Sequence, residues 1–253
     1  MSAGPNFQQC LAFINCQVRP AGSPVLGSSH GAHFRAVTIS RQAGSGGHAV
    51  AEKLTAFLQS HSPNRGRPWT LFDRNLVEQV LEDHHLPARL ARFMPENRSS
   101  EIEDALDDLL GVHPPVETLV RKTAETILRL TELGNVIFLG RGANVITAER
   151  DDVFHVRLVG SLARRIEFVQ RSRQLAGPAA LKIARDEDRG RRAYLKRYYH
   201  ADIDDPLLYH LVLNTDFICH EGAARLIGEA VLSGSSADQA AGRYSLEAGK
   251  TVH

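Results

Sequence analysis

Residues Ala36 to Leu54 read AVTISRQAGSGGHAVAEKL: an apolar, β-prone run, a loop holding Gly44, Gly46 and Gly47, and at once a helical pattern. That order constrains the fold more than any other feature of the chain. A strand that feeds straight into a helix reaches its next sheet neighbour through a crossover, which builds a parallel sheet with helices on its faces. In the helix, Val50, Leu54, Phe57 and Leu58 recur at i, i+4, i+7 and i+8 and form one apolar face. Glycines at the junction admit positive φ and let backbone N–H groups turn toward a common point, where the helix start adds about half a positive charge. An anion, phosphate above all, is the natural guest of such a loop.

The rest of the chain repeats the alternation. Apolar runs at 69–72, 135–139, 153–159 and 211–215 read as further strands, and helical patterns follow at 161–174, 178–199 and 221–232. Residues 75–133 read as mainly helical, with a capping box at Ser100 and Glu103, and with Pro114-Pro115 opening a helix that Gly134 closes. The expected fold is α/β: a parallel sheet sandwiched by helices, with a helical insertion at about 75–133 and a basic helical lid at about 178–205. Residues 1–34 read as a short helix, Phe7 to Val18, and a Gly/Pro/Ser-rich connector; residues 233–253, small and polar, read as a disordered tail. Ligands of such sheets sit at the carboxyl ends of the strands. The residues to inspect there are Ser40 to Gly47, Asp73 and Arg74, Gly140 to Gly142, and Asn214 and Thr215.

Composition narrows the partners. Thirty basic against 29 acidic residues give a net charge of +1, so no global field favours nucleic acid or a membrane surface. The charge is unevenly spread: Arg157 to His200 holds twelve Lys/Arg against four Asp/Glu, a local anion-binding surface. Cys10, Cys16 and Cys219 form no C-x-x-C pair and no even framework, which suits a reducing cytosol. No run approaches the ~20 apolar residues of a membrane span. The histidines show no zinc spacing, and Tyr194, Tyr198 and Tyr199 are expected to pack on the sheet rather than stack on bases. A cytoplasmic protein is expected, free of nucleic acid and membrane, with the N-terminal helix available to a protein partner.

The loop departs from the phosphate-binding string G-x-x-x-x-G-K-[ST]. Gly47 stands where the lysine would be, and the helix runs on through His48 and Ala49 with no hydroxyl to hold a metal. His48, at the helix start, either meets phosphate as an imidazolium or stays neutral among its neighbours. Asp73 either serves the site or caps the helix after it, and the basic helix is either a charge clamp or a solvated face paired with Glu187 and Asp188.

Five strings in order carry a family resemblance: ISRQ-x-GSGG at 39–47, FDR at 72–74, GRGAN at 140–144, the set Asp188, Arg191 and Tyr194, and Tyr209 to Thr215. Over about residues 36–232 the chain resembles the cytidylate kinase-like family, relatives of bacterial cytidylate kinases among the P-loop nucleoside monophosphate kinases. The resemblance implies a P-loop NTPase-type sheet, ATP and Mg2+ as donor, and CMP, dCMP or a related monophosphate as acceptor. It implies that Gly44, Ser45, Gly46, Gly47 and His48 wrap the donor phosphates and that Arg74, Arg141 and Asp188 contact the acceptor. Arg41, Asp73, Arg185 and Arg191 are the expected catalytic groups, with Arg41 replacing the absent lysine; the metal ligands are left open. Gly142 stands where true cytidylate kinases carry an aspartate after Gly-Arg. Phosphoryl transfer spreads charge over oxygens, and arginine forks suit it because they stay protonated and bind phosphate through paired hydrogen bonds. An active kinase is the first expectation; the alternative is a nucleotide-binding regulatory or interaction module with a degenerate loop and little transfer.

Overall fold

The computed structural model describes residues 34–61, 68–73 and 116–234. Five strands form one sheet: β1 (Ala36–Arg41), β2 (Thr70–Phe72), β3 (Val136–Leu139), β4 (Val153–Val159) and β5 (Leu211–Asn214). Their order is β2-β3-β1-β4-β5, and every pairing is parallel. The helices are α1 (Gly47–His61), α2 (Val116–Leu133), α3 (Ala143–Ile146), α4 (Leu162–Arg173), α5 (Gly177–Tyr199) and α6 (His220–Leu232). The expected N-terminal helix and connector, Arg74, the capping box at Ser100 and the tail beyond 234 lie outside the described residues.

β1 is the central strand, so its loop opens in the middle of the carboxyl edge. One face of the sheet is apolar: Val37, Ile39, Val156 and Leu158 pack with Val50, Leu54 and Leu58 of α1 and Ala223, Ile227 and Val231 of α6. Phe57 is only partly buried because it lies across α6, where a Cβ built on Gly228 would fall 2.2 Å from its ring; the glycine lets the two helices approach. The other face departs from an all-apolar reading of β4. There Thr38 and Ser40 of β1 lie beside His155 and Arg157 of β4, all buried and in register. Their polar groups satisfy one another: Thr38 Oγ1 lies 2.8 Å from His155 Nδ1, and an Arg157 Nη1 donates to Ser40 Oγ at 2.9 Å.

Several expected boundaries shift for local reasons. β3 begins at Val136 rather than Asn135, because Gly134 and Asn135 both take positive φ and turn the chain out of α2. The Gly134 N–H reaches the carbonyls of Leu130 and Thr131, closing the helix as its sequence promised. β5 stops at Asn214, whose Oδ1 accepts from the Asp216 N–H and so turns the chain away from the sheet. None of the described helices is long and apolar enough to cross a membrane.

Candidate functional site

The glycine loop hangs between β1 and α1 and is braced from below. The Gln42 N–H donates to Leu158 O at 3.0 Å, and Gln42 Oε1 accepts from the Gly160 N–H at 3.0 Å, which lashes the loop entrance to the end of β4. Gly44 takes φ +79°, and a Cβ there would sit 2.3 Å from the Arg165 carbonyl oxygen. Gly46 takes φ +76°, and its Cβ would fall 2.0 Å from Nε2 of His220, the first residue of α6. Both positions therefore demand glycine. Burial and the charge of Lys53 hold the His220 imidazole below its ordinary pKa, so a neutral ring backs the loop. Among the described residues, the N–H groups of Gly44, Gly46, Gly47 and His48 meet no backbone carbonyl. Together with the α1 dipole they form an anion cradle.

Arg41 leaves β1 beside this cradle. A Cβ built on Gly47 would fall 2.8 Å from Arg41 Cγ, so the arginine stem crosses the space that a lysine at 47 would enter. His48 sits between two carboxylates, Nδ1 at 3.1 Å from Asp73 Oδ2 and Nε2 at 3.2 Å from Glu52 Oε1. That geometry brings the end of β2 to the first turn of α1. Ser45 is buried and its hydroxyl donates to the Gln42 carbonyl at 2.8 Å, which pins the residue to the loop entrance. Among the described residues no three of His, Cys, Asp and Glu gather as a metal site.

At the end of β3, Gly140, Arg141 and Gly142 take φ of 88°, 60° and 68° in succession. A non-glycine residue in that region stores strain of about 1 kcal/mol, here in a partly buried arginine at the mouth of the site. Gly142 lies against two rings of α5: its Cβ would come within 3.0 Å of Tyr199 and 3.5 Å of Tyr194. Burial raises the Tyr199 phenol above its ordinary pKa, where the ring lies against Gly142 and Tyr194.

The basic helix α5 is held down by its acids. Glu187, buried, accepts from Arg173 at 2.6 Å and from Arg191 at 2.9 Å. Asp188 accepts from the Ala43 N–H at 2.6 Å through Oδ1 and from Arg165 Nη1 at 2.7 Å through Oδ2, with Arg191 Nη1 at 3.6 Å from Oδ1. Arg185, one turn earlier, is exposed. Beyond α5, Asp204 accepts from both Arg157, at 2.6 Å, and Arg192, at 2.7 Å.

Comparison with known proteins gives this geometry its family. A model of the cytidylate kinase-like family matches residues 36–217. The chain belongs to the cytidylate kinase-like family. No curated protein matches its sequence. An uncharacterized protein from Eubacterium ventriosum superposes with TM-score 0.56 at 19% identity, covering 79% of this chain and 99% of that one. Shikimate kinase from Bacteroides thetaiotaomicron gives 0.44 at 11% identity, covering 78% and 97%. A gluconokinase from Sinorhizobium meliloti gives 0.43 at 12%, covering 85% and 98%. The all-parallel, helix-flanked sheet agrees with membership of that family, and membership implies a nucleotide substrate.

Of the residues read from the cytidylate kinase-like motifs, the fold gathers Arg41, the loop 44–48 and Asp73 around one cradle. Asp188 touches the loop's entrance from α5, Arg191 lies beside Asp188, and Arg141 stands on the adjacent turn. Arg74 lies outside the described residues. Two buried arginines, Arg157 and Arg165, were not singled out in the sequence. Their trace was present: a cation within a largely apolar strand run, and a cation at the first-turn inward face of α4, are anomalies that only a buried acid or carbonyl resolves.

Proposed function

We propose that this protein is a cytosolic nucleoside monophosphate kinase that transfers the γ-phosphate of ATP to CMP or dCMP and releases the diphosphates. The reading rests on one observation above the others: the Arg41 stem lies across Gly47, beside a cradle whose N–H groups are still open to an anion. A guanidinium delivered there supplies the fixed positive charge that the missing lysine would otherwise bring, and it adds bidentate geometry. Arg141, strained on its turn, is the acceptor-side cation; Arg185, exposed on α5, is the transition-state clamp, with Arg191 held on Glu187 and Asp188 behind it. Bound magnesium would neutralise charge on the donor phosphates. Asp73, beside the first turn of α1, is the described carboxylate suited to hold it through water.

A degenerate loop also favours a second reading, a nucleotide-binding regulatory module, because neither His48 nor Ala49 supplies the metal-holding hydroxyl. Incubating the full chain with ATP, magnesium and each of CMP, dCMP, UMP, AMP and GMP, then separating products chromatographically, decides between them. Diphosphate from CMP or dCMP, abolished by Gly46→Pro, is expected. ATP binding without product from any acceptor supports the module instead.

A further inference from the structure

We propose that Arg165 and Asp188 form a positioning pair that fixes the glycine loop and couples its shape to the seating of α5. The inference builds on the reading of that loop as the phosphate cradle. The two side chains come from different helices, α4 and α5, and converge on one peptide unit. Asp188 Oδ1 accepts from the Ala43 N–H at 2.6 Å, while Arg165 Nη1 donates to the Ala43 carbonyl at 2.9 Å. The same Nη1 donates to Asp188 Oδ2 at 2.7 Å, and Arg165 Nε donates to the Gly160 carbonyl at 2.9 Å. Ala43 is 3% exposed and Arg165 7% exposed, so these are shielded, charge-assisted bonds.

Ala43 immediately precedes Gly44, whose left-handed backbone lies directly against the Arg165 carbonyl. Both hydrogen-bonding groups of the residue that launches the loop are therefore held by side chains, and α4's backbone sets the floor under the first glycine. Arg165 satisfies the Ala43 carbonyl but not its N–H, which needs an acceptor, and that acceptor rides on α5. If α5 lifts, the Ala43 N–H and the buried Arg165 fork lose their shared carboxylate together, and the loop loses the bond that orients its first peptide. Seating α5 accordingly organises the cradle, and an organised cradle favours α5 in its seated position, since such coupling is reciprocal. Arg173 and Arg191 on Glu187, the preceding residue, hold this stretch of α5 in register. Asp188 thus acts through the loop, as a positioning residue rather than as an acceptor contact.

The test compares wild type, Asp188→Asn, Arg165→Lys and the double variant, full length, by native-state hydrogen exchange of the two hydrogen-bonded loop amides, Ala43 and Ser45, and by calorimetric titration with ATP. Asparagine keeps an oxygen for the Ala43 N–H but not the charge that engages Arg165; lysine keeps a charge but cannot reach Gly160, Ala43 and Asp188 at once. Both conservative changes spare the volume of the site, and cooperative melting confirms a folded chain. In each single variant the loop amides should exchange about tenfold faster while β1 and β4 keep their protection. ATP should bind about fivefold more weakly. The double variant should lose no more than the worse single, as groups acting in one unit do. Variants that melt earlier but keep loop exchange and ATP affinity within about twofold of wild type would reduce the pair to ordinary structural support and overturn the proposal. Wild type that binds no ATP, indistinguishable from Gly46→Pro, would instead sink the cradle reading, and the exchange data would then decide the positioning pair alone.

Discussion

Arg157, on the central part of β4, and Asp204, in the segment after α5, meet at 2.6 Å with the arginine side chain only 5% exposed. Among the described residues this buried cation meets one carboxylate, and that carboxylate also serves Arg192 on α5. Burial pushes the Asp204 carboxyl up, but the hydrogen bonds and charges of Arg192 and Arg157 outweigh it and leave the group below its ordinary value. Removing the acid strands a charge under the sheet, whereas removing the arginine for a chain of similar volume does not. Asp204→Ala should cost about 3 kcal/mol and Arg157→Met distinctly less, read as urea midpoints at pH 7. Equal losses would mean that Arg157 is hydrated rather than sealed.

His155 gives the stability its pH dependence. Burial, seconded by repulsion from His210, lowers its pKa from 6.5 to about 4. The unfolded chain therefore binds a proton that the folded chain refuses between pH 6.5 and 4. Stability from this group is complete above pH 6.5 and is lost as pH falls through that window, by about 3 kcal/mol in all. His210 and His220, also lowered by burial, act with the same sign. Asp204 and Asp152, both held below their ordinary values, add their losses only at lower pH. Denaturation of wild type and His155→Gln at pH 7.5, 6, 5 and 4.5 should give a clearly shallower slope for the variant; parallel slopes would remove His155 from the account.

The two left-handed glycines of the loop differ in what a side chain would strike. At Gly44 the obstacle is the Arg165 carbonyl, which is backbone of α4; at Gly46 it is the His220 ring, which can rotate. Each alanine substitution carries about 1 kcal/mol of left-handed strain. Gly44→Ala should lose about 2–3 kcal/mol more than that through the backbone clash, and Gly46→Ala less. Adding His220→Ala should recover part of the Gly46→Ala loss and none of the Gly44→Ala loss, as thermal melts of the four chains would report.

The sheet was legible because its strands are apolar runs and its helices carry one-sided apolar faces. Local rules are enough to place such elements, and the glycine loop announces itself through residues that only a tight turn requires. What stayed hidden is the polar face of the sheet. Arg157 and Arg165 acquire partners 47 and 23 residues away, and no periodicity encodes which acid a buried arginine will find. The same holds for Asp188, whose partner Ala43 lies 145 residues back. The basic helix read as a charge surface is, in its middle, a set of closed ion pairs, because Glu187 and Asp188 face α4 and the glycine loop and not solvent.

The Arg41 stem and the bare α-carbon of Gly47 make the replacement of the P-loop lysine testable as an exchange. Restoring lysine alone, Gly47→Lys, drives a new Cβ to within 2.8 Å of Arg41 Cγ and must displace that side chain. Removing arginine alone, Arg41→Ala, takes away the cation without supplying another, a charge-assisted bond worth about 1.5–3 kcal/mol, or roughly ten- to a hundred-and-fifty-fold in ATP affinity. Each single variant should therefore bind ATP more weakly than wild type. The double variant has both the cation and the space for it, so its affinity should return to within about tenfold of wild type, a strongly non-additive result. Calorimetric titration of the four proteins with ATP measures all corners of that cycle. Additive losses in the double variant would mean that Arg41 packs against the loop without serving the phosphates.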